Sequence, residues 1–146
     1  MANAVTAADP ISLSTREDVG KALLRVTVAV LLLFHGISKV QNGIGWMAGM
    51  LQSNHLPVFV GYGVYVAEVV APILLIIGIF TRPAALIIAF DMVMAIILVQ
   101  RDKFLTRNQG GGWAVELEMF FLLASIAVFF FGSGRYAISR GRGRWD

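Results

Sequence analysis

Four acidic residues stand inside apolar runs of this chain: Glu68, Asp91, Glu116 and Glu118. Three cationic or titratable residues, Arg25, His35 and Lys39, punctuate the first apolar run. A charge held at bilayer depth costs about 2.5–3.5 kcal/mol even by the lower estimates, so it persists where it pairs or performs a task. The chemistry open to such a set is proton transfer, hydrogen bonding to a carbonyl ligand, or simple ion pairing. His35 can serve as a donor, a proton shuttle, a metal ligand or a structural partner for Glu116 or Glu118. Glu68 reads either as half of a structural ion pair or as part of a ligand or proton site. Lys39 could instead snorkel to the headgroups. Only one further histidine exists, His55, next to Leu56-Pro57 in a connection, so a metal centre is not expected.

The elements that must carry these residues are membrane helices. The chain has 146 residues, 58% of them hydrophobic and 14% charged, and its mean hydropathy is +0.76. A soluble domain carries about 25% charged residues. Apolar runs near 20 residues long therefore place the chain in the membrane class. The spacing predicts spans over residues 20–40, 58–80, 83–99 and 113–131. The apolar connection 41–57 is expected to form a short interfacial helix. The expected fold is all-α: a polytopic membrane four-helix bundle with that short helix between the first two spans. Residues 1–19 lack an apolar signal-peptide core and are expected to be a cytoplasmic leader, with Thr15 as a helix cap. Residues 20–139 form the membrane domain and residues 140–146 a basic cytoplasmic tail. The glycine-rich connection 100–112 is expected to be exposed and mobile.

The isoelectric point near 9.7 does not signal nucleic acid, because the 12 Lys and Arg flank apolar runs. With the N-terminus inside, seven of them (Arg16, Lys21, Arg82, Arg135, Arg140, Arg142 and Arg144) face the cytoplasm and four (Lys39, Arg101, Lys103 and Arg107) face outward. That bias predicts both termini in the cytoplasm. The absence of cysteine excludes thiol redox catalysis, disulfides and Cys-ligated iron–sulfur clusters on this chain.

At about 1.5 Å per residue, Glu68 falls about 15 Å along the second span and Asp91 about 12 Å along the third. Pro72 lacks the N–H that would bond the Glu68 carbonyl. Arg25 lies near the inner end of the first span. His35 and Lys39 lie one turn apart near its outer end, level with Glu116 and Glu118. Those two glutamates are about 200° apart around their helix and cannot both face one partner. The expected arrangement is an outer cluster of His35, Lys39 and Glu116, with Glu118 as a further candidate, and a deeper pair, Glu68 and Asp91, with Arg25 reaching toward the inner side.

Leu24-Arg25, Phe34-His35-Gly36, Lys39, Glu68, Gly78, Thr81-Arg82, Asp91-Met92, Glu116-Leu117 and Gly132-Ser133-Gly134-Arg135-Tyr136, in this order, resemble the DoxX family over residues 20–139. The sequence departs from that pattern at Gln100 and Arg140. The resemblance implies a small bacterial inner-membrane protein associated with quinone, acting as a subunit of an oxidoreductase system beside a redox partner. On that reading Glu68, His35 and Glu116 handle protons, while Arg25, His35, Lys39 and Glu68 hold the quinone. Two other classes remain open: an assembly subunit whose charges only hold the bundle together, and a small-solute or proton-coupled transporter acting as a homo-oligomer.

Overall fold

The computed structural model describes residues 10–146, which are helical apart from turns and one isolated β-bridge. Helix α1 runs Pro10–Asn42 and a short α2 runs Gly45–Ser53. Helix α3 (Val58–Ile77) changes pitch along its length: a 3-10 turn at Val58–Tyr62, a π-helical turn at Val66–Val70 and an α-helical end at Ala71–Ile77. Helix α4 spans Thr81–Leu98 and α5 spans Glu116–Phe131.

Among the described residues three segments are long and apolar enough to cross a membrane: Ser14–Asn42, Val58–Ile77 and Thr81–Leu98. Helix α5 has 16 residues, short of the roughly 20 that a hydrocarbon core requires. It packs along α4, the most extensive helix pairing in the molecule. Val28 and Leu32 of α1, Leu75 of α3, Ile88 of α4 and Phe121 and Val128 of α5 meet in one buried core. Large apolar side chains also face outward: Leu23, Phe34, Phe90 and Phe130 are each more than 60% exposed. This outward apolar surface is the signature of a chain solvated by lipid rather than water.

Several boundaries differ from the sequence reading. Helix α1 begins at Pro10, so the part of the leader within the described residues is already helical; residues 1–9 lie outside them. Thr15 sits within that helix and not at its start. Helix α5 begins at Glu116, because Trp113 is held off the helix by meeting Phe104 edge to face (ring centroids 5.2 Å apart) and donating to its carbonyl. The 100–112 connection is internally bonded: the Asn108 N–H donates to the Gly112 carbonyl at 2.8 Å, and Arg107 pairs with Trp113. The C-terminal residues fold back. Asp146 accepts from the Thr81 N–H (3.2 Å), and the Arg82 N–H donates to the Trp145 carbonyl (3.0 Å). An acidic group thus meets the free N–H groups that begin α4, where the helix dipole favours it.

Candidate functional site

The π-helical turn of α3 carries Glu68, and its i+5 pitch is visible in the Ala71 N–H donating to the Val66 carbonyl. Such turns absorb an extra residue and are frequent at functional sites. Pro72 follows directly and offers no N–H to the Glu68 carbonyl. Gly36 of α1 packs onto that carbonyl so closely that a Cβ would collide with it. The sequence Gly36–Pro72 thus draws α1 onto α3 at the level of Glu68.

One turn on from Gly36, Lys39 forms a hydrogen-bonded ion pair with Glu68 Oε1. The Tyr65 hydroxyl donates to the Lys39 carbonyl at 3.2 Å and fixes this end of α1. Glu68 is 4% exposed, and its second oxygen, Oε2, is buried without a partner among the described residues. A half-satisfied buried carboxylate is costly and needs an explanation.

Glu68 and Lys39 line a cavity of about 440 Å3 enclosed by α1, α3, α4, α5 and α2. His35 stands in its wall, its ring edge-on to Phe121 with centroids 6.1 Å apart. Asp91 of α4 lines the same space, within Coulombic range of Glu68 and Lys39. Glu118 of α5 is the third carboxylate and accepts from the Gln100 amide at 3.2 Å. Trp46, Met47, Met50 and Leu51 of α2 complete the wall. Leu51 packs onto Gly61 of α3, where a Cβ would lie only 3.1 Å from its methyl group. The short helix expected between the first two spans is therefore a cavity wall. A mostly apolar chamber with a few polar groups is the usual form of a small-molecule site. Three carboxylates against one lysine and one histidine make this one rich in hydrogen-bond acceptors and able to hold protons.

Two residues assigned to the site by sequence lie elsewhere. Glu116 is exposed and accepts from the Asn108 side chain at 3.1 Å, closing the turn before α5. Its Asn108 partner also receives the Gly112 N–H at 2.9 Å. Only one of the two glutamates on α5 can face inward, and it is Glu118, which shares a face with Phe121 at i, i+3. That spacing was the signal available in the sequence. Arg25 lies 14 residues before Lys39, about 21 Å along α1. It donates to the carbonyls of Leu75, Ile76 (3.0 Å) and Tyr136 (2.8 Å). The Leu75 and Ile76 carbonyls are free because α3 stops at Gly78, whose φ of +77° breaks the helix. A Cβ on Gly78 would clash with both Ala137 and the Arg25 guanidinium. Arg25 therefore closes the C-terminal end of α3 and does not reach Glu68 or Asp91.

The chain matches the family model of DoxX over residues 20–101. It is 30% identical over 119 residues to a protein of Bacillus subtilis named "Putative oxidoreductase CatD", covering 80% of this chain and 81% of that one. It is 31% identical over 121 residues to an uncharacterized protein of Haemophilus influenzae, covering 80% and 86%. No solved structure matches it. Gly36, Lys39 and Glu68, together with Arg25 and Gly78, lie within the matched region, and the chain belongs to the DoxX family.

Proposed function

We propose that this chain is a quinone-associated subunit of a membrane oxidoreductase system, with the Lys39–Glu68 cavity as its binding chamber. The observation that carries the reading is the unpartnered, buried Oε2 of Glu68 on the wall of a largely apolar space of about 440 Å3. A quinone supplies a two-electron, two-proton redox couple, and its ring suits an apolar slot with donors and acceptors at its edge. Lys39 and His35 bring donors to that edge. Glu68, Asp91 and Glu118 bring groups that accept and hold protons. Electrons must come from a partner, since the chain has no cysteine and no metal-ligating cluster among the described residues. The name of the B. subtilis relative agrees with an oxidoreductase role.

In this reading α5 is the fourth span, completing an antiparallel bundle in the bacterial inner membrane with both termini in the cytoplasm. The cavity then opens toward the outer half of the bilayer. A cysteine introduced at Asn108 should react with an impermeant reagent in intact cells, while one at Arg144 should be shielded. Reversed labelling would overturn the orientation.

Trp46 is the one tryptophan on the cavity wall, so it reports occupancy directly. With Trp113 and Trp145 replaced by Phe, a ubiquinone or menaquinone analogue should quench Trp46 saturably in nanodiscs and raise the melting temperature. Quenching no stronger than that of free tryptophan in the same lipid, with no thermal shift, would sink the quinone assignment.

A further inference from the structure

We propose that the inner end of the molecule carries a binding site for an anionic phospholipid, built by Arg135, Arg140 and Arg142 on a rigid C-terminal strap. These three side chains and Tyr136 line one cleft of about 400 Å3. Among the described residues none of the three guanidinium groups forms an ion pair. Arginines so gathered repel one another unless an anion sits among them, and the planar guanidinium suits phosphate oxygens in particular.

The strap is held in place by bonds at several points, which separates it from a solvated basic tail. Its Ile138 N–H donates to the Ile77 carbonyl (3.2 Å) and its Ser139 N–H to the Gly78 carbonyl (3.4 Å). The Tyr136 carbonyl receives the Arg25 guanidinium, and the Ser133 and Ser139 hydroxyls bond at 3.0 Å. Tight turns close from the Arg140 N–H to Ala137 (3.0 Å) and from the Arg142 N–H to Ser139 (3.1 Å). Arg140 itself takes a left-handed φ of +53°, an unusual conformation for this residue type, and it lies within those turns. Of the acidic groups close to the strap, Asp18 receives the Arg135 backbone N–H at 3.3 Å and is itself offset by Lys21 at 3.9 Å, and Asp146, beside Gly143, accepts from the Thr81 N–H.

The second half of the argument is apolar. An adjoining cleft shares Arg135, Tyr136 and Arg140 but is floored by Ile77, Ala137 and Ile138. Ile138 is 74% exposed. A free phosphate would use only the arginines. A phosphate joined to acyl chains uses the arginines and the isoleucine floor together, so the pair of clefts fits a phospholipid.

The test uses the full chain in nanodiscs of phosphatidylcholine doped with phosphatidylglycerol, read by native mass spectrometry and melting temperature. Phosphatidylglycerol should be retained and should raise the melting temperature. Replacing Arg135, Arg140 and Arg142 by Gln should weaken retention by roughly fivefold per arginine. The matched variant R101Q/K103Q/R107Q, at the other end of the molecule, should keep it. Ile138→Asn leaves every arginine in place and should also weaken retention, which keeps the test decisive should the triple variant fold poorly. Equal retention of phosphatidylcholine, equal loss in the two triple variants, no effect of Ile138→Asn, or full stabilisation by inorganic phosphate in detergent would each overturn the proposal.

Discussion

Helix α1 sends one cation to each end of α3, and the two are treated in opposite ways. At the C-terminal end of α3 Arg25 is 1% exposed and meets three backbone carbonyls and, among the described residues, no anion. Those carbonyls belong to a helix terminus and to the strap, neither of which can move without losing them. Toward the other end Lys39 is a quarter exposed and meets a carboxylate with one oxygen to spare, beside a chamber. A glycine permits the close approach at each end, Gly78 beside Arg25 and Ala137 and Gly36 against the Glu68 carbonyl. The difference lies in what remains unsatisfied. The Arg25 knot commits both terminal guanidinium nitrogens to fixed backbone partners and leaves only its Nε N–H, a donor, without one, whereas the Lys39–Glu68 pair retains an acceptor, Oε2, that a ligand or proton can occupy. Arginine suits the first role because its fork spans several acceptors at fixed geometry, and lysine suits the second because its single ammonium can shift between partners.

Breaking the knot should have the largest effect. Arg25→Met leaves the Leu75, Ile76 and Tyr136 carbonyls without their donor at the end of a helix. At about 1–3 kcal/mol for each buried group left unpaired, the loss should reach about 3 kcal/mol or more. Thermal unfolding in detergent would measure it. Arg25→Lys should rescue little, since one ammonium cannot bridge Leu75 and Tyr136 together. A melting temperature unchanged in Arg25→Met would refute the structural reading of this residue.

The contrast also marks where sequence reading reaches its limit. The spans through α1, α3 and α4 were legible because apolar runs near 20 residues admit few other solutions. The prominence of Glu68 was legible for the same reason: a charge there is expensive. The role of Arg25 was not. Its partners are carbonyls 50, 51 and 111 residues away, and backbone groups leave no mark in a side-chain pattern. The start of α1 at Pro10 was missed because residues 10–19 carry no apolar run. The π-helical turn was missed because it follows from packing α1 against α3 around Pro72, not from the propensity of Val66–Val70. Glu118 was legible in principle, through its spacing to Phe121, but the reading preferred Glu116 and so passed it over.

At the contact between α1 and α3, Gly36→Ala places a methyl group against the Glu68 carbonyl and the Val69 side chain. Overpacking of this kind costs about 1–3 kcal/mol. Because the strain is applied at Glu68, the variant should also lower the affinity of the cavity for a quinone analogue, read by Trp46 quenching. Gly78→Ala, which adds a methyl group against Ala137 and Arg25, should lower stability while leaving that quenching constant unchanged in the folded fraction. Equal effects of both variants on quenching would erase the distinction between the two ends.

Removing the carboxylate alone should cost less stability. Glu68→Gln strips Lys39 of its counter-ion, but a quarter-exposed lysine can snorkel outward, so about 1–2 kcal/mol is expected in place of the larger penalty for a fully buried pair. Replacing both, Lys39→Met with Glu68→Leu, should recover much of that stability, because apolar groups of similar size often substitute for a buried ion pair without loss. The double variant should still fail to bind a quinone analogue. Stability recovered with binding intact would place the function outside this cavity.

The smallest expected effect on stability separates the two glutamates of α5. Glu116 is exposed and bonded to Asn108, so Glu116→Gln should change stability by no more than about 0.5 kcal/mol and leave quinone binding alone. Glu118→Gln is equally mild for the fold, since a glutamine can keep a hydrogen bond to the Gln100 amide. It removes one of three carboxylates from the cavity wall, and with it a proton-holding group nearest the polar 100–112 connection. If protons reach Glu68 and Asp91 from that side, Glu118→Gln should slow quinone-linked proton uptake in proteoliposomes while the quenching constant of Trp46 stays as it was. An effect of Glu116→Gln as large as that of Glu118→Gln would mean that the pathway runs over the surface of the turn. Proton access would then belong to the Asn108–Gly112 turn and not to the chamber behind it.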